Sequence, residues 1–307
     1  MDLLIIRPGA LGDTLMALPA LVHLKGKASI TFVGRRPGLE FMADHVHCPM
    51  DLEGPGWHRL FMERPDDKDL PVSHADLVVA FFKDKEGRVR ENLTSSFPHT
   101  PVHVFPSFPP QGEKIHTALY VAERFRLAGL PMDPEEAFDK AMKKALLGDR
   151  GMSGERKRIV IHPGSGDPKK NLSPQFWLKL IKRLLDEDDF QGFTPTVLLG
   201  PAEEALSVFF RDHLPSIKGE LFFNPLKDLL TQMLTEAALY LGHDSGITHL
   251  AAMLGLPTVA LFKNSDVHQW RPLGPQVRVI RSESEEPGLI EKVVEASKAI
   301  GVAPLEK

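Results

Sequence analysis

The sequence predicts a two-domain α/β protein in which strands and helices alternate around mainly parallel sheets. Short apolar strands recur between segments of helical length along most of the chain, and this pattern is typical of βαβ units. A strand followed directly by a glycine-containing loop also occurs twice, once near the N terminus and once just after the middle of the chain. The 307 residues are enough for two domains of ordinary size.

The first half opens with a βα pattern. The apolar strand Leu3–Ile6 leads into a loop with Gly9 and Gly12, and the apolar segment Thr14–Leu24 predicts a helix. The polar, Pro- and Gly-containing stretch Asp51–Pro71 predicts irregular surface structure. Other predicted elements of this half are strands at Ser29–Val33, Asp76–Phe82 and Val102–Phe105, and a helix over Thr117–Ala128.

A break in composition separates the halves. Residues 148–158 are charged, rich in glycine and almost without apolar side chains, so they are predicted to link two domains, 1–150 and 151–307.

The second half repeats the opening pattern. After the strand Ile159–Ile161, a loop with Gly164 and Gly166 leads to Ser173, which is predicted to cap a helix that has Pro174 at its first position. Further strands are predicted at Thr196–Leu199, Leu221–Phe223, Leu239–Gly242, Thr258–Phe262 and Val277–Ile280.

Composition excludes several classes of function. A net charge of −4 provides no basic field for nucleic acid, and the single cysteine, Cys48, excludes an internal disulfide and a cysteine-based zinc site. The apolar run Leu3–Ile6 is too short for the core of a signal peptide, and no segment approaches the ~20 apolar residues of a membrane span. We therefore expect a cytoplasmic protein.

Two similar halves predict a cleft between them, because open α/β sheets bind ligands beyond the carboxyl ends of their strands. Several side chains at such ends have two interpretations each. Asp13 either stabilises a helix dipole or acts as a general base. The pair Lys169 and Lys170 is either solvated surface charge or a diphosphate contact. Asp244 either caps a helix or belongs to a phosphate-binding turn, and His249 is either a core histidine or a ligand contact.

The same segments resemble glycosyltransferase family 9, the ADP-heptose:lipopolysaccharide heptosyltransferases. The resemblance is carried by four runs: Gly-Ala-Leu-Gly-Asp-Thr-Leu from Gly9, His-Pro-Gly-Ser-Gly from His162 with Lys-Asn from Lys170, Asp-Ser-Gly-Ile-Thr-His-Leu-Ala-Ala from Asp244, and Leu-Pro-Thr-Val-Ala-Leu-Phe from Leu256. It extends from the first strand to the Trp-Arg-Pro-Leu-Gly run that ends at Gly274, and it covers most of the C-terminal half but only about the first 25 residues of the N-terminal half.

The resemblance implies a GT-B fold, with two Rossmann-like domains that face a central cleft. The N-terminal domain would receive the acceptor and the C-terminal domain would bind the nucleotide sugar, while a last helix at about 288–300 would pack back on the N-terminal domain. The implied reaction is an inverting transfer of heptose from ADP-heptose to a lipopolysaccharide core or related cell-surface glycan. No metal or cofactor is expected. The implied partners are the donor and an anionic glycolipid, with at most peripheral contact at the inner membrane.

The resemblance also implies roles for individual residues. Asp13 matches the catalytic base, with Gly9 and Gly12 in the acceptor-side loop. The donor-binding residues that it implies are Ser165 and Lys170 near the phosphates, Glu204 at the ribose, Asp244 at the donor sugar, and Ser245, Gly246, Ile247 and His249 in the turn that holds the diphosphate. Glu203 is nearly as good a match as Glu204.

Some features depart from the family pattern or leave alternatives open. Where family members often carry Gly-Pro-Thr-Asp, this chain has Lys-Asn-Ser-Asp over 263–266. The Asp-x-Asp runs at 67–69 and 186–188 are interpreted as solvated charge and not as metal sites. The alternatives are a GT-B transferase with another donor, a non-catalytic sugar-nucleotide binding protein, and an NADP-dependent oxidoreductase that binds the 2′-phosphate at Arg35 and Arg36. The last lacks the Gly-x-Gly-x-x-Gly fingerprint.

Overall fold

The structure is a computed structural model that describes residues 1–63, 70–148 and 156–301. The chain divides into two compact units, Met1–Lys140 and Ala141–Lys307. The division falls before the predicted linker, of which residues 149–155 lie outside the described ranges. Residues just after the division belong to the second unit, since the Leu146 and Leu147 amides both donate to the Met253 carbonyl, at 2.8 and 3.1 Å.

The first unit is built on a five-stranded, all-parallel sheet with the order β3-β2-β1-β4-β5. Its strands are β1 (Asp2–Ile6), β2 (Ser29–Gly34), β3 (Cys48–Asp51), β4 (Leu77–Phe81) and β5 (Val102–Phe105). Its helices are α1 (Leu11–Leu15), α2 (Leu18–Leu24), α3 (Gly38–Met42), α4 (Arg88–Ser96) and α5 (Thr117–Leu127). Helix α6 (Pro134–Lys143) begins in this unit and ends in the second. The sequence predicted four of these strands and missed β3, a short strand that contains Pro49 and has no buried residue.

Two local expectations for this unit were wrong. The segment Thr14–Leu24 forms two short helices in place of one, because Pro19 has no amide hydrogen and fits the first turn of α2, not the interior of a longer helix. The stretch expected to be irregular surface contains a 3₁₀ turn over Trp57–Phe61, and both Trp57 and Leu60 are buried in the core. Of that stretch, residues 64–69, with the run at 67–69, lie outside the described ranges.

The second unit is built on a six-stranded, all-parallel sheet with the order β11-β10-β9-β6-β7-β8. Its strands are β6 (Arg158–His162), β7 (Thr194–Leu199), β8 (Glu220–Phe223), β9 (Leu239–His243), β10 (Thr258–Phe262) and β11 (Val277–Arg281). Its helices are α7 (Pro174–Leu185), α8 (Ser207–His213), α9 (Lys227–Glu236), α10 (Gly246–Met253), α11 (Val267–Trp270) and α12 (Leu289–Gly301). The predicted α/β class with two parallel sheets is confirmed.

Helix α7 shows how the sequence fixes an element. The Ser173 side chain accepts a hydrogen bond from the Phe176 amide at 3.1 Å, and Pro174 occupies the first helical position, as predicted. The apolar face buries Trp177 and its neighbours in the core of the second unit. This helix therefore fixes the loop that precedes it, and that loop contributes to the candidate site.

The last helix, α12, uses its apolar face within the second unit. Leu289, Val293 and Val294 are buried in the same core as Trp177, and α12 packs on α7, β10 and β11. Packing of this helix on the first unit stays a prediction. No helix in the described ranges is both long enough and apolar enough to cross a membrane.

Candidate functional site

The candidate site of the second unit lies at one edge of its sheet. Strands β10, β9, β6 and β7 are neighbours and all parallel, so the segments that follow them emerge at the same edge. Each of these four segments carries polar side chains that contact another of them. In open parallel sheets, ligands bind outside the carboxyl ends of the strands.

An ion-pair cluster occupies the centre of this edge. Lys170 Nζ lies 2.8 Å from Asp244 Oδ2, and His249 Nε2 lies 3.5 Å from Asp244 Oδ1. The Asp244 side chain is only 6% exposed, whereas that of Lys170 is 32% exposed. Burial opposes ionisation of Asp244, but the hydrogen bonds of His249 and Lys170 outweigh it and hold the pKa of this carboxyl well below its usual range. Asp244 is therefore a buried anion whose partner, Lys170, reaches solvent.

The turn after Asp244 starts helix α10. Ser245 caps it, since its hydroxyl accepts from the Thr248 amide at 3.3 Å. Thr248 also donates to the His243 carbonyl and contacts the Tyr240 hydroxyl at 3.0 Å, so the cap is tied to strand β9. Gly246 and Ile247 form the first turn, where backbone N–H groups have no partner within a helix. These groups can bind an anion beside Lys170.

A buried carboxylate joins the loops after β6 and β7. Glu203, 5% exposed, accepts from the Gly166 amide at 3.1 Å and from the Gly200 amide at 2.9 Å. A Cβ at Gly164 would lie 2.1 Å from Glu203 Cγ, so only glycine fits there. Glu204, the residue that the sequence nominated for the ribose, is exposed. Both oxygens of Glu203 are thus engaged with backbone, and Glu204 faces solvent.

The loop after β6 is braced from two sides. The Ser165 hydroxyl lies 2.6 Å from Asn171 Oδ1 and 2.9 Å from the Asp167 carbonyl. From β10, Lys263 Nζ donates to the Asn171 carbonyl at 3.3 Å, and Asn264 Nδ2 donates to the Lys169 carbonyl at 2.8 Å. The run that departs from the family pattern therefore holds the loop that carries Lys170.

Two buried histidines lie at the ends of β6 and β9. His243 Nε2 accepts from the Leu172 amide at 3.0 Å, and burial lowers the pKa of His243 to about 3. His162 Nδ1 lies 2.9 Å from the Leu198 carbonyl, and burial also lowers the pKa of His162. Both histidines are neutral near pH 7 and position backbone, so their role in this geometry is structural.

In the first unit, Asp13 stands in the first turn of α1, at the end of the glycine-containing loop after β1. Its Oδ2 accepts from the Ala10 amide at 3.2 Å, and the side chain is half-buried. A Cβ at Gly9 would lie 2.7 Å from the Asp13 Cβ, so the carboxylate lies tightly against this glycine. In this structure Asp13 therefore lies where a carboxylate stabilises a helix dipole, and its role as a general base stays a prediction.

The loop of Asp13 rests on a buried arginine. Arg7 donates from Nε to the Asp13 carbonyl and from a terminal nitrogen to the Ser107 carbonyl, both at 3.1 Å, and its guanidinium lies 4.9 Å from the centre of the Phe81 ring. Burial lowers the pKa of Arg7 to about 10, and the charge of Asp13 opposes that shift. Arg7 stays a cation that contacts the end of β4 and the segments after β1 and β5.

Within the described ranges, one group of three side chains has the spacing of metal ligands. Asp2, His74 and Asp76 place ligand atoms within 4.8 Å of one another, and all three are exposed. They lie at the amino ends of β1 and β4, at the opposite edge from Asp13. The Asp2 amide donates to Asp76 at 2.7 Å, so hydrogen bonding accounts for the cluster. The run at 186–188 follows α7, and Asp186 forms its C-terminal cap.

Comparison with known sequences decides the family. The sequence model of glycosyltransferase family 9 (heptosyltransferase) matches residues 88–298, well over half of the chain. The chain belongs to this family. The predicted family and the predicted enzyme class, a glycosyltransferase, are therefore confirmed.

Similar proteins come from several bacteria. A Haemophilus influenzae protein provisionally named a glycosyltransferase is 27% identical over 152 residues, which span 43% of its length and 47% of this chain. The Escherichia coli heptosyltransferase WaaC with ADP has a TM-score of 0.66 at 16% identity, covering 96% of this chain and 99% of that one. The E. coli ADP-heptose LPS heptosyltransferase II has a TM-score of 0.66 at 20% identity, covering 98% of each chain. A family 9 glycosyltransferase from Veillonella parvula has a TM-score of 0.68 at 14% identity, covering 97% and 96%.

At these identities the structures establish the fold, and they confirm the predicted GT-B class. Within this family 9 chain, the structure brings together Lys170, Asp244, Ser245 and His249, and it places Gly246 and Ile247 in the same turn. Ser165 lies in the braced loop, whereas Glu204 makes no part of that cluster.

Sequence reasoning missed three contributors: Arg7, Lys263 and the bridging role of Glu203. Nothing in the sequence distinguishes Glu203 from its neighbour, because the turn that buries one and exposes the other is an irregular 3₁₀ segment.

Proposed function

We propose that this family 9 glycosyltransferase transfers a heptose from ADP-heptose to a lipopolysaccharide core or related cell-surface glycan. The observation that carries the proposal is the Lys170–Asp244–His249 cluster beside the first turn of α10. The donor is supported by the E. coli structures of similar fold, one with ADP and one with ADP-2-deoxy-2-fluoro heptose. The acceptor rests on the family and on the name of the E. coli LPS heptosyltransferase II.

On the donor side, the second unit supplies charge for the leaving group. As the bond to the sugar breaks, negative charge grows on the diphosphate, and a cation with helical N–H groups stabilises it. We expect Lys170 to do this, because its side chain is partly exposed and its ammonium only needs to turn from Asp244 to a phosphate. Asp244, freed from Lys170, then accepts hydrogen bonds from sugar hydroxyls. With these groups the transfer proceeds without a metal ion.

On the acceptor side, the first unit supplies the base. Inversion at the anomeric carbon requires the acceptor hydroxyl to lose its proton as it attacks, and Asp13 is the carboxylate proposed to take it. Its half-buried position leaves it reachable from solvent, and Arg7 fixes the backbone of its loop. The proposed acceptor is an anionic glycolipid, met at the cytoplasmic face of the inner membrane by peripheral contact.

Calorimetric titration with nucleotides tests the donor first. We expect the protein to bind ADP without metal and more tightly than UDP or GDP, and we expect Mg²⁺ to leave that affinity unchanged. A preference for UDP or GDP would exclude ADP-heptose as the donor but would still agree with a GT-B transferase that uses another nucleotide sugar. Binding of NADPH alone would contradict the assignment of a sugar-nucleotide donor.

The variant Asp13→Asn tests the base. The amide keeps the shape of the side chain but cannot take up a proton, so transfer should fall by about 10²-fold or more. Affinity for ADP should stay within a few-fold, because Asp13 lies outside the second unit. Equal turnover by the variant in a transfer assay with ADP-heptose would remove Asp13 from this role.

A further inference from the structure

Lys263 places a second ammonium group at the donor edge of the second unit. It directly follows β10, which pairs with β9 so that Leu261 lies opposite His243, the residue before Asp244. The Asp244 amide donates to the Leu261 carbonyl at 3.2 Å. Lys263 Nζ donates to the carbonyl of Asn171, the residue after Lys170. The ammonium thus lies against the loop that carries Ser165 and Lys170.

The charges of the two lysines are balanced differently. Lys170 is 2.8 Å from the Asp244 carboxylate, so in this arrangement its charge is already compensated. The one hydrogen bond of Lys263 goes to a neutral carbonyl at 3.3 Å, and across the described ranges no carboxylate forms a salt bridge with it. The Lys263 side chain is half-buried, and a partly desolvated ammonium without a counter-anion attracts an anionic ligand strongly.

We propose that Lys263 is a second cationic contact for the diphosphate of the donor, acting with Lys170. This inference rests on the proposed function and adds a binding residue to its donor site. A nucleoside diphosphate carries more than one negative charge, and a single lysine that is already paired with a carboxylate cannot balance it. In place of the Gly-Pro-Thr-Asp run expected from the family pattern, this chain has a lysine at the first of the four positions. Lys263 therefore gives this chain a phosphate contact that the family pattern does not include.

Calorimetric titration with ADP tests this directly. Lys263→Gln removes the charge but keeps an amide that can still donate to the Asn171 carbonyl. We expect the dissociation constant of ADP to rise by about tenfold or more, and the difference from wild type to shrink as salt is added, because salt screens the lost charge. Lys263→Arg keeps a cation and should retain most of the affinity.

The matched control is Lys179→Gln. Lys179 is an exposed lysine on α7, away from the sheet edge, and its loss removes the same charge from the same unit. We expect ADP affinity within twofold of wild type. Thermal unfolding of all variants reports whether the fold is kept, and the Arg variant keeps the test valid if the Gln variant unfolds.

The outcomes separate the two proposals. If wild type binds ADP and Lys263→Gln binds it within twofold, the cation role of Lys263 is overturned and the proposed function stands. If wild type prefers UDP or GDP, ADP-heptose falls as donor, and the variants titrated with the preferred nucleotide decide the role of Lys263. If wild type binds none of the three, both proposals fall.

Discussion

At the scale of single residues, two adjacent glutamates in this protein have different structural roles. Glu203 joins the loops after β6 and β7 through two backbone amides, whereas Glu204, next to it, faces solvent. A buried amide that loses its acceptor costs about 1–3 kcal/mol, because its desolvation is then uncompensated. The sequence did not distinguish these two glutamates, but a measurement of the stability lost when each is changed does.

The pair Glu203→Gln and Glu204→Gln measures that loss of stability. A glutamine has one acceptor oxygen in place of two, so Glu203→Gln leaves the Gly166 or Gly200 amide facing an NH₂ group. We expect the melting temperature to fall by several degrees for Glu203→Gln and to stay unchanged for Glu204→Gln. Differential scanning calorimetry decides between them, and an equal effect of both changes would refute the bridging role.

The sequence singled out the residues of the Lys170–Asp244–His249 cluster but did not predict their contacts. Lys170, Asp244 and His249 lie in recognisable runs, because each run directly follows a strand of a parallel sheet. The contacts of Lys263 and Arg7 depend on neighbouring loops that are distant in sequence, for example 92 residues between Lys263 and Asn171. Spacing along the chain carries no signal for such pairs.

At the scale of elements, the histidines that end β6 and β9 make the stability of the fold depend on pH. His243 and His162 are held neutral by burial, which lowers the pKa of both, to about 3 for His243. In the unfolded chain a histidine titrates near pH 6.5. Between these pH values the unfolded state binds protons at these histidines and the folded state does not. The stability that the neutral histidines contribute is therefore fully present above pH 6.5 and is lost as the pH falls toward 3.

Melting temperatures measured between pH 7.5 and 4.5 test this link. We expect a steady fall below about pH 6.5, in a window that lies mostly above the pKa of about 4 at which carboxyl groups titrate in the unfolded chain. A carboxyl whose folded pKa is lowered, such as that of Asp244, loses its contribution to stability only as the pH falls below about 5. His243→Gln keeps an acceptor for the Leu172 amide but has no proton to take up. Its melting temperature should vary less with pH than that of wild type, and an equal slope would exclude His243 as a source.

The sequence predicted correctly the helices and strands that depend on local pattern alone. The caps and apolar face of α7, and the strand β10 at Thr258–Phe262, follow from local pattern. The prediction was wrong where tertiary packing decides: Trp57 and Leu60 are drawn into the core from a Pro- and Gly-containing stretch, and β3 forms because β2 offers it a partner.

At the scale of the whole molecule, the two units have separate cores. The core around Trp57 draws only on the first unit, and that around Trp177 only on the second. The proposed donor residues Lys170, Asp244 and Lys263 all belong to the second unit. The two glycine loops showed that one βα pattern is repeated in the chain. The position of the division was not evident from the sequence, because helix α6 continues across it and residues 141–148 are mostly apolar, so no break in composition marks it.

A chain that starts at Asp133 keeps α6 whole and contains the entire second unit. We expect it to unfold cooperatively and to bind ADP within a few-fold of the affinity of the full chain. A chain that ends at Lys140 should bind no ADP. Circular dichroism and calorimetric titration check both pieces, and a folded second unit that does not bind would show that the donor site needs residues of the first.

The positions of the three tryptophans give this protein its own optical reporters. Trp57 lies in the core of the first unit and Trp177 in that of the second, while Trp270 is half-buried with its ring 6.5 Å from that of His249. A buried indole emits at shorter wavelength than one exposed to water. Fluorescence from single-tryptophan variants would thus follow each core as it melts, and Trp270 would follow the filling of the site, without any attached dye.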